Sequence, residues 1–167
     1  MDSGIDATHE EFVDTTIENI YSITDEYGDT TGHGTAIASL ISGKTCGMTN
    51  ATIKVVKIFD VTTPTKQSDL LSAFDAIIKD YLQNPLPAVI NCSWSIARND
   101  YIQNKIQYII NLGIDVVAAA GNSGMPIPDV TPAAIFDAIT VGAYNTQLEP
   151  CDFSNYTGSI ISLTNGE

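Results

Sequence analysis

Short β-branched runs alternate with amphipathic helical segments over most of the sequence, and this alternation predicts a parallel β-sheet. Residues 53–59, IKVVKIF, are short and β-branched, which is typical of a strand. We expect further strands at 88–93, 114–120 and 138–143, and helices at 68–83 and 100–112, where apolar residues recur at helical spacing. Strands joined by helices make right-handed crossovers, so the sheet should be mostly parallel, with helices on both faces. Folds of this α/β class hold their functional residues at the carboxyl ends of the strands.

Individual residues set the limits of the two predicted helices. Ser68 is a candidate N-cap for the first helix, because its hydroxyl can accept a hydrogen bond from a free backbone N–H. Pro85 and Pro87 end that helix, since proline cannot continue the helical hydrogen-bond ladder. Gly113 stands at the C-terminal end of the second helix, a position that favours glycine.

Composition narrows the classes of function. A chain of 167 residues with 44% hydrophobic and 16% charged residues can bury a core, and we expect one domain over residues 1–167. A net charge of −13 disfavours nucleic acid and anionic membranes as partners. The sequence has no apolar run near the roughly 18 residues that span a bilayer. Cys46, Cys92 and Cys151 lack metal-type spacing and do not fix the redox compartment.

Three short motifs carry residues with catalytic potential. DSGID contains Asp2, GHGT contains His33, and VVAAAGNSG contains Asn122 after a predicted strand. Each motif alone has a plainer explanation: an Asx-type turn, a structural or solvated histidine, and a strand-to-loop turn that needs positive φ. The glycines on both sides of His33 allow close backbone approach and leave the imidazole exposed at a helix start.

Taken together, in this order and at these separations, the motifs resemble the subtilase family of subtilisin-like serine proteases. The similarity extends to IKVVKIFD, AVINCSWS, TPAAIFDAITVGAYN, CDFSNYTG and the closing LTNGE, so it covers nearly the whole chain. The resemblance implies a three-layer subtilisin-like α/β fold with a mostly parallel sheet flanked by helices.

The resemblance also implies roles for the three motif residues. Asp2 would orient and charge-stabilise the imidazole, and His33 would be the general base and then the general acid of peptide-bond hydrolysis. Asn122 would donate its side-chain N–H to the developing oxyanion.

The substrate cleft can be carried over from the family in the same way. One edge would pair with an extended peptide, and the other would line the pocket for the residue before the scissile bond. The expected substrate-binding residues are Ser93, Trp94 and Ser95 on the first edge, and Ala119, Ala120 and Gly121 on the second. Ser95 stands where the family commonly has glycine, which leaves the substrate preference open.

Other residues are expected to be structural. His9 matches a turn after the acid, and Pro132 matches a family proline whose preceding bond is often cis, against about 5% for X–Pro bonds in general. Many subtilases bind calcium in the loop after the histidine helix, but residues 43–51 contain no Asp or Glu, so we expect no calcium there. We expect no cofactor and no other assigned metal, although the many carboxylates leave calcium elsewhere open.

The sequence departs from the family pattern at both ends. Asp2 and His33 are 31 positions apart (33 − 2), close to the separation of roughly 32 in subtilisin. The separation between the histidine and the serine of subtilisin is roughly 157, which would put the serine of this chain near position 190. The Gly-Thr-Ser-Met-Ala signature is absent, Ser123 and Ser154 are poor substitutes, and only Met1 precedes Asp2. We therefore expect a domain truncated at both ends, with little activity alone.

Several explanations of this departure stay open at the sequence level. The chain could be an incomplete domain, a peptide-binding pseudo-protease, or one half of a split protease whose serine comes from a second chain or segment. A nucleotide-binding α/β domain is disfavoured, because no G-x-G-x-x-G follows a strand and no P-loop occurs. The segment after Met1 is polar and has no signal-peptide pattern, so a secreted origin is an expectation by family analogy only.

Overall fold

The structure, a computed structural model, describes residues 1–157, and the chain divides into two compact units. The first unit is Met1–Leu86, and the second begins at Pro87. The closing segment LTNGE at 163–167 lies outside the described residues. A single domain over residues 1–167 stays a prediction.

The first unit contains a two-stranded parallel sheet and two α-helices. Its elements are a 3₁₀ helix at Glu10–Phe12, β1 at Ile17–Ser22, α1 at His33–Ser42, β2 at Ile53–Lys57 and α2 at Gln67–Gln83. Strand β1 pairs with β2 in parallel, and an irregularity between Asn19 and Tyr21 shifts the register. The sequence predicted β2 and α2 within two residues of these bounds, whereas it did not predict β1.

Burial in the first unit follows the apolar pattern of its elements. Ile5, Phe12, Ala38 and Val55 form one buried cluster beside β2 and α1. Helix α2 packs against β1 and buries Phe74 completely, as its helical apolar spacing requires. Full burial of one such side chain stabilises the fold by about 2–3 kcal/mol.

Ser68 does not cap α2, so that expectation was wrong. The helix begins one residue earlier, at Gln67, with Lys66 in the N-cap position. The carboxylate of Asp69 accepts a hydrogen bond of 2.8 Å from the Lys66 backbone N–H. Asp69, the third residue of the helix, therefore pairs a free backbone N–H at the helix start, which was the kind of role predicted for Ser68.

The second unit is built around a three-stranded parallel sheet. Its elements are β3 at Val89–Cys92, β4 at Ile96–Ala97, α3 at Asp100–Asn111, β5 at Asp115–Ala119, a 3₁₀ helix at Ile127–Asp129, β6 at Val130–Thr131 and β7 at Ile139–Val141. Strand β5 lies between β3 and β7, and both pairings are parallel. The short strands β4 and β6 pair separately in antiparallel orientation. The predicted α/β order is confirmed for the long elements.

Helix α3 packs against β5 and closes one face of this sheet. Its inner face buries Ile102, Ile106 and Ile109 completely. The side chain of Asn99 accepts a bond of 3.1 Å from the Ile102 N–H at the start of the helix. Gly113 follows the helix with φ of 95°, a conformation that glycine adopts without steric cost.

The Thr131–Pro132 peptide bond is cis, as the family resemblance suggested. Thr131 is fully buried, and its hydroxyl accepts bonds of 3.0 Å from the Asn99 backbone and the Gln103 side chain. Within residues 1–157, no helix combines the length and the apolar character needed to cross a bilayer.

Candidate functional site

Asp2 and His33 are in direct contact in the first unit. The Asp2 backbone lies along the end of β2, with its N–H bonded to Val56 at 3.1 Å and its carbonyl accepting from Ile58 at 2.8 Å. His33 is the first residue of α1. The His33 Nδ1 atom lies 2.6 Å from Asp2 Oδ1, so the sequence prediction that these residues meet is confirmed.

The two side chains differ in exposure in the way that acid–base chemistry requires. The His33 side chain is 54% exposed, while that of Asp2 is 12% exposed. Asp2 Oδ1 also accepts the Ser3 backbone N–H at 2.8 Å. The other oxygen, Oδ2, is buried without a hydrogen-bond partner among the described residues. A carboxylate held at Nδ1 fixes the ring and leaves Nε2 able to exchange a proton with an outside group.

The two glycines of GHGT serve different purposes. A Cβ on Gly34 would lie 2.2 Å from the Gly4 carbonyl oxygen and 3.2 Å from Asp2, so Gly34 is what lets the two motifs touch. Gly32 instead occupies the N-cap of α1 with φ of 83° and has open space around it. The predicted close backbone approach is confirmed at Gly34 only.

Asp29 caps the helix that begins with His33. Its Oδ2 accepts from the Thr35 N–H at 2.9 Å and the Thr35 hydroxyl at 2.7 Å. Its Oδ1 accepts from the Ser3 hydroxyl at 2.8 Å and the Thr31 N–H at 2.9 Å. Burial by itself would raise the pKa of Asp29, but hydrogen bonds from Thr35, Thr31 and Ser3 outweigh it and hold that pKa well below its ordinary value.

Ser3 connects this cap to the Asp2 motif. Its hydroxyl accepts the Gly34 N–H at 3.0 Å and a bond of 2.8 Å from the Thr31 hydroxyl, while it donates to Asp29. Ser3 is 2% exposed, so these bonds are shielded from water. One buried hydroxyl therefore joins the strand end that carries Asp2 to the helix start that carries His33.

A buried ion pair lies at the end of β2. Lys57 Nζ is 2.8 Å from Asp60 Oδ2 and donates to the Gly28 carbonyl at 2.6 Å, with the two charged side chains 1% and 6% exposed. The Thr30 hydroxyl also donates to Asp60 at 3.1 Å. The hydrogen bond from Lys57 comes first among the contacts that hold the pKa of Asp60 well below its ordinary value. Because Lys57 also bonds Gly28, the ion pair holds the loop before Asp29 against the end of β2.

In the second unit, the predicted oxyanion donor Asn122 and the predicted substrate-binding residues Ala119, Ala120 and Gly121 lie at the end of β5 and directly after it. Ala119 ends that strand, Ala120 is 2% exposed, and Gly121 has φ of 103°. Asn122 is exposed, and its side chain has no hydrogen-bond partner within residues 1–157. An exposed carboxamide with unused N–H groups can donate to an oxyanion.

Ser93, Trp94 and Ser95 follow β3, the neighbour of β5. Because β3 and β5 are parallel, their carboxyl ends meet at one edge, where both sets of predicted residues lie. Ser93 accepts a bond of 2.9 Å from Asn91 and is half-buried, Trp94 is 7% exposed, and Ser95 is exposed. The substrate-binding roles of these residues stay predictions.

His9 has the structural setting expected of it, while the expectation of no calcium in the loop after α1 stays a prediction. The ring of His9 caps the first 3₁₀ helix, where Nδ1 accepts from the Glu11 N–H at 3.3 Å. The carboxylate of Glu11 accepts from the Thr45 N–H at 2.9 Å and from the Thr45 hydroxyl. Over residues 1–157, no group of three or more His, Cys, Asp or Glu side chains is arranged to hold a metal ion.

Sequence reasoning missed the residues that support the site. Asp29 had a signal, since an acid beside threonines shortly before a helix is typical of capping. Lys57 and Asp60 had a weaker one, a lysine inside a β-branched run three residues before an acid. Ser3 and Asn155 had none, because their partners are distant in the sequence.

Known proteins resemble this chain over almost its entire length. The sequence profile of the subtilase family matches residues 1–164. A subtilisin-like protease 2 from Trichophyton rubrum is 35% identical over 98% of the chain, and one from Trichophyton equinum is 34% identical over the same share. The chain covers 39% of each of these two relatives.

Solved structures agree with the sequence matches. The crystal structure of a cold-adapted subtilisin-like serine proteinase superimposes with a TM-score of 0.83 and 28% identity, over 93% of this chain and 57% of that one. Sphericase matches with a TM-score of 0.76 at 22% identity, over 92% of this chain and 56% of its own, which supports the fold alone. With its subtilisin-like α/β fold and a family match over residues 1–164, this chain belongs to the subtilase family.

Proposed function

We propose that these residues supply the base, its orienting acid and the oxyanion donor of a serine endopeptidase. His33 takes the proton of a serine hydroxyl and later gives it to the leaving amine, while Asp2 holds Nδ1 and stabilises the imidazolium. Asn122 donates to the oxyanion of the tetrahedral intermediate. The substrate is an extended peptide along the segment Ser93–Ser95.

The observation that carries this proposal is the contact of 2.6 Å between His33 Nδ1 and Asp2 Oδ1. A solvated histidine would have no reason to open a helix against a mostly buried carboxylate. Holding that geometry also uses several polar groups, Ser3 and Asp29 among them. A network of buried hydrogen bonds of this kind is typical of a site that must keep one arrangement.

Proton NMR of the purified chain tests the carboxylate–imidazole pair directly. We expect a strongly downfield Nδ1–H resonance from His33 that disappears in Asp2→Asn. His9→Gln is the matched control, since His9 is the other histidine of the chain and its Nδ1 accepts rather than donates. A spectrum without the resonance, or one in which His9→Gln removes it, contradicts the proposal.

The residues with proposed catalytic roles, Asp2, His33 and Asn122, do not include a nucleophile. Hydrolysis by the 167-residue chain alone should therefore be near background. In subtilisin, loss of the serine lowers kcat by about 10⁶. In an assembly that includes a serine-bearing segment, Asn122→Ala should lower kcat by about 10²–10³ with little change in KM. Inhibitor-sensitive hydrolysis by the chain alone would show that a nucleophile within it had been overlooked.

A peptide aldehyde separates catalysis from simple peptide binding. The aldehyde forms a hemiacetal with an activated serine and a hemithioacetal with a free thiol, so the chain alone should not be captured once its exposed thiols, such as that of Cys46, have been alkylated. If a serine-bearing assembly also binds the aldehyde without forming an adduct, the protein binds peptides and does not cleave them. Mass spectrometry of the mixtures distinguishes the two results.

A further inference from the structure

The segment that carries Asn122, residues 120–125, is hydrogen-bonded to a second segment, residues 153–156. Three backbone hydrogen bonds of 2.8–3.1 Å join the segments: Gly124 N–H to Phe153 O, Asn155 N–H to Gly121 O, and Tyr156 N–H to Met125 O. These bonds fix residues on either side of Asn122. They do not fix Asn122 itself, whose side chain has no partner among the described residues.

The side chain of Asn155 adds three bonds to the same loop. Its Oδ1 accepts the Ser123 N–H at 3.0 Å and the Met125 N–H at 3.1 Å, and its Nδ2 donates to the Ala120 carbonyl at 2.9 Å. Asn155 is 5% exposed, so water cannot easily replace these bonds. The arrangement requires a donor and an acceptor on one short side chain, which a carboxamide provides.

Gly121 makes room for that carboxamide. A Cβ at Gly121 would lie 2.3 Å from Asn155 Nδ2, closer than any carbon and nitrogen can approach without bonding. The φ of Gly121, 103°, is also one that other residues rarely adopt. Asn155 and the loop therefore fit one another at van der Waals contact.

We propose that Asn155 is a positioning residue for Asn122. Its carboxamide bonds the backbone before Asn122, at Ala120, and after it, at Ser123 and Met125, and so fixes the backbone from which the Asn122 side chain projects. An oxyanion donor contributes fully only when its direction is set before the reaction, because reorienting it costs free energy. The inference rests on the proposed oxyanion role of Asn122.

Amide hydrogen exchange and ¹⁵N NMR of the 167-residue chain test this proposal without any need for activity. In Asn155→Ala, the Ser123 and Met125 amides should exchange about tenfold faster or more. The NMR resonances of the Asn122 side-chain NH₂ group should move to the chemical shifts of a disordered asparagine. Asn155→Asp keeps the acceptor oxygen, so both backbone amides should exchange more slowly than in Asn155→Ala, although the lost bond to Ala120 and the buried charge destabilise the loop. Unchanged exchange in Asn155→Ala overturns the proposal.

Two further measurements separate positioning from a general loss of stability. Asn145→Ala is the matched control, because Asn145 likewise accepts two backbone N–H bonds, from Gln147 and Glu149, in a different turn. That variant should leave the amides of Ser123 and Met125 unchanged. If Asn155→Asp exposes those two amides as fully as Asn155→Ala does, positioning by the side-chain oxygen is wrong. Failure of the proposed function would appear separately, as a missing His33 resonance.

Discussion

Replacement of Asp29 should loosen the start of α1 and, with it, the contact between His33 and Asp2. In Asp29→Ala, the N–H groups of Thr31 and Thr35 lose their acceptor. Loss of a helix-capping side chain costs about 1 kcal/mol, and the loss of a second backbone bond costs about as much again where water replaces it. Because Asp29 is half-buried, we expect a total loss of about 2 kcal/mol in the free energy of unfolding.

The pH dependence of this effect has a definite sign. The folded-state pKa of Asp29 lies below its ordinary value of about 3.9. The stabilisation by its carboxylate is therefore fully present above the unfolded-state pKa and is lost as the pH falls through the folded-state pKa. The stability difference between the wild type and Asp29→Asn should stay constant from pH 7 to about pH 5 and shrink below about pH 4.

Urea denaturation followed by far-UV circular dichroism at several pH values measures this difference. Asp25→Asn is the matched control: Asp25 is exposed in the same loop and makes no hydrogen bond with the described residues, so it should leave stability unchanged within about 0.5 kcal/mol. The downfield His33 resonance should weaken in Asp29→Ala. A difference that persists undiminished to pH 2, or a variant as stable as the wild type, refutes the reasoning.

Four other substitutions and one double variant test backbone geometry, burial and the buried ion pair by urea unfolding. Gly121→Ala should destabilise the chain by at least about 1–2 kcal/mol, because φ is 103° and the new Cβ has no space. Phe74→Ala, at 0% exposure, should cost about 3–5 kcal/mol. Phe136→Ala, at 98% exposure, should cost less than about 0.5 kcal/mol. Lys57→Met should destabilise more than Lys57→Met combined with Asp60→Asn, because the single change leaves a buried carboxylate unpaired.

Elements with strong local patterns could be predicted from the sequence, whereas elements made by pairing could not. Helix α3 repeats its buried isoleucines at helical spacing, so the pattern alone gave its bounds within one residue. Strand β1, Ile17–Ser22, has exposed and half-buried residues without clear alternation. It is a strand because β2 pairs with it, and that partner lies more than thirty residues away in the sequence. The pairing partner of a strand and its register depend on distant residues, so the periodicity of the strand's own sequence does not predict them.

The residues of the candidate site divide in the same way. Asp2, His33 and Asn122 stand in motifs whose order carries the resemblance to the family, so they could be proposed from the sequence. Asp29 carries a capping signal in the sequence but none for its position beside Asp2 and His33, and Asn155 resembles any other amide in a turn. Only the fold shows that they accept backbone N–H groups beside the motif residues.

The supporting residues order the loops that lie next to the groups with proposed catalytic roles. A loop has no hydrogen-bond ladder, so its backbone N–H groups must find other acceptors or remain solvated and mobile. Asp29 satisfies Thr31 and Thr35 in the first unit, and Asn155 satisfies Ser123 and Met125 in the second. An apolar side chain of equal size would fill the space but leave these donors unpaired, at a cost of about 1–3 kcal/mol each where water is excluded. Polar side chains at these positions therefore give loops the rigidity that electrostatic catalysis needs, and conservative polar replacements should preserve it better than apolar ones of the same volume.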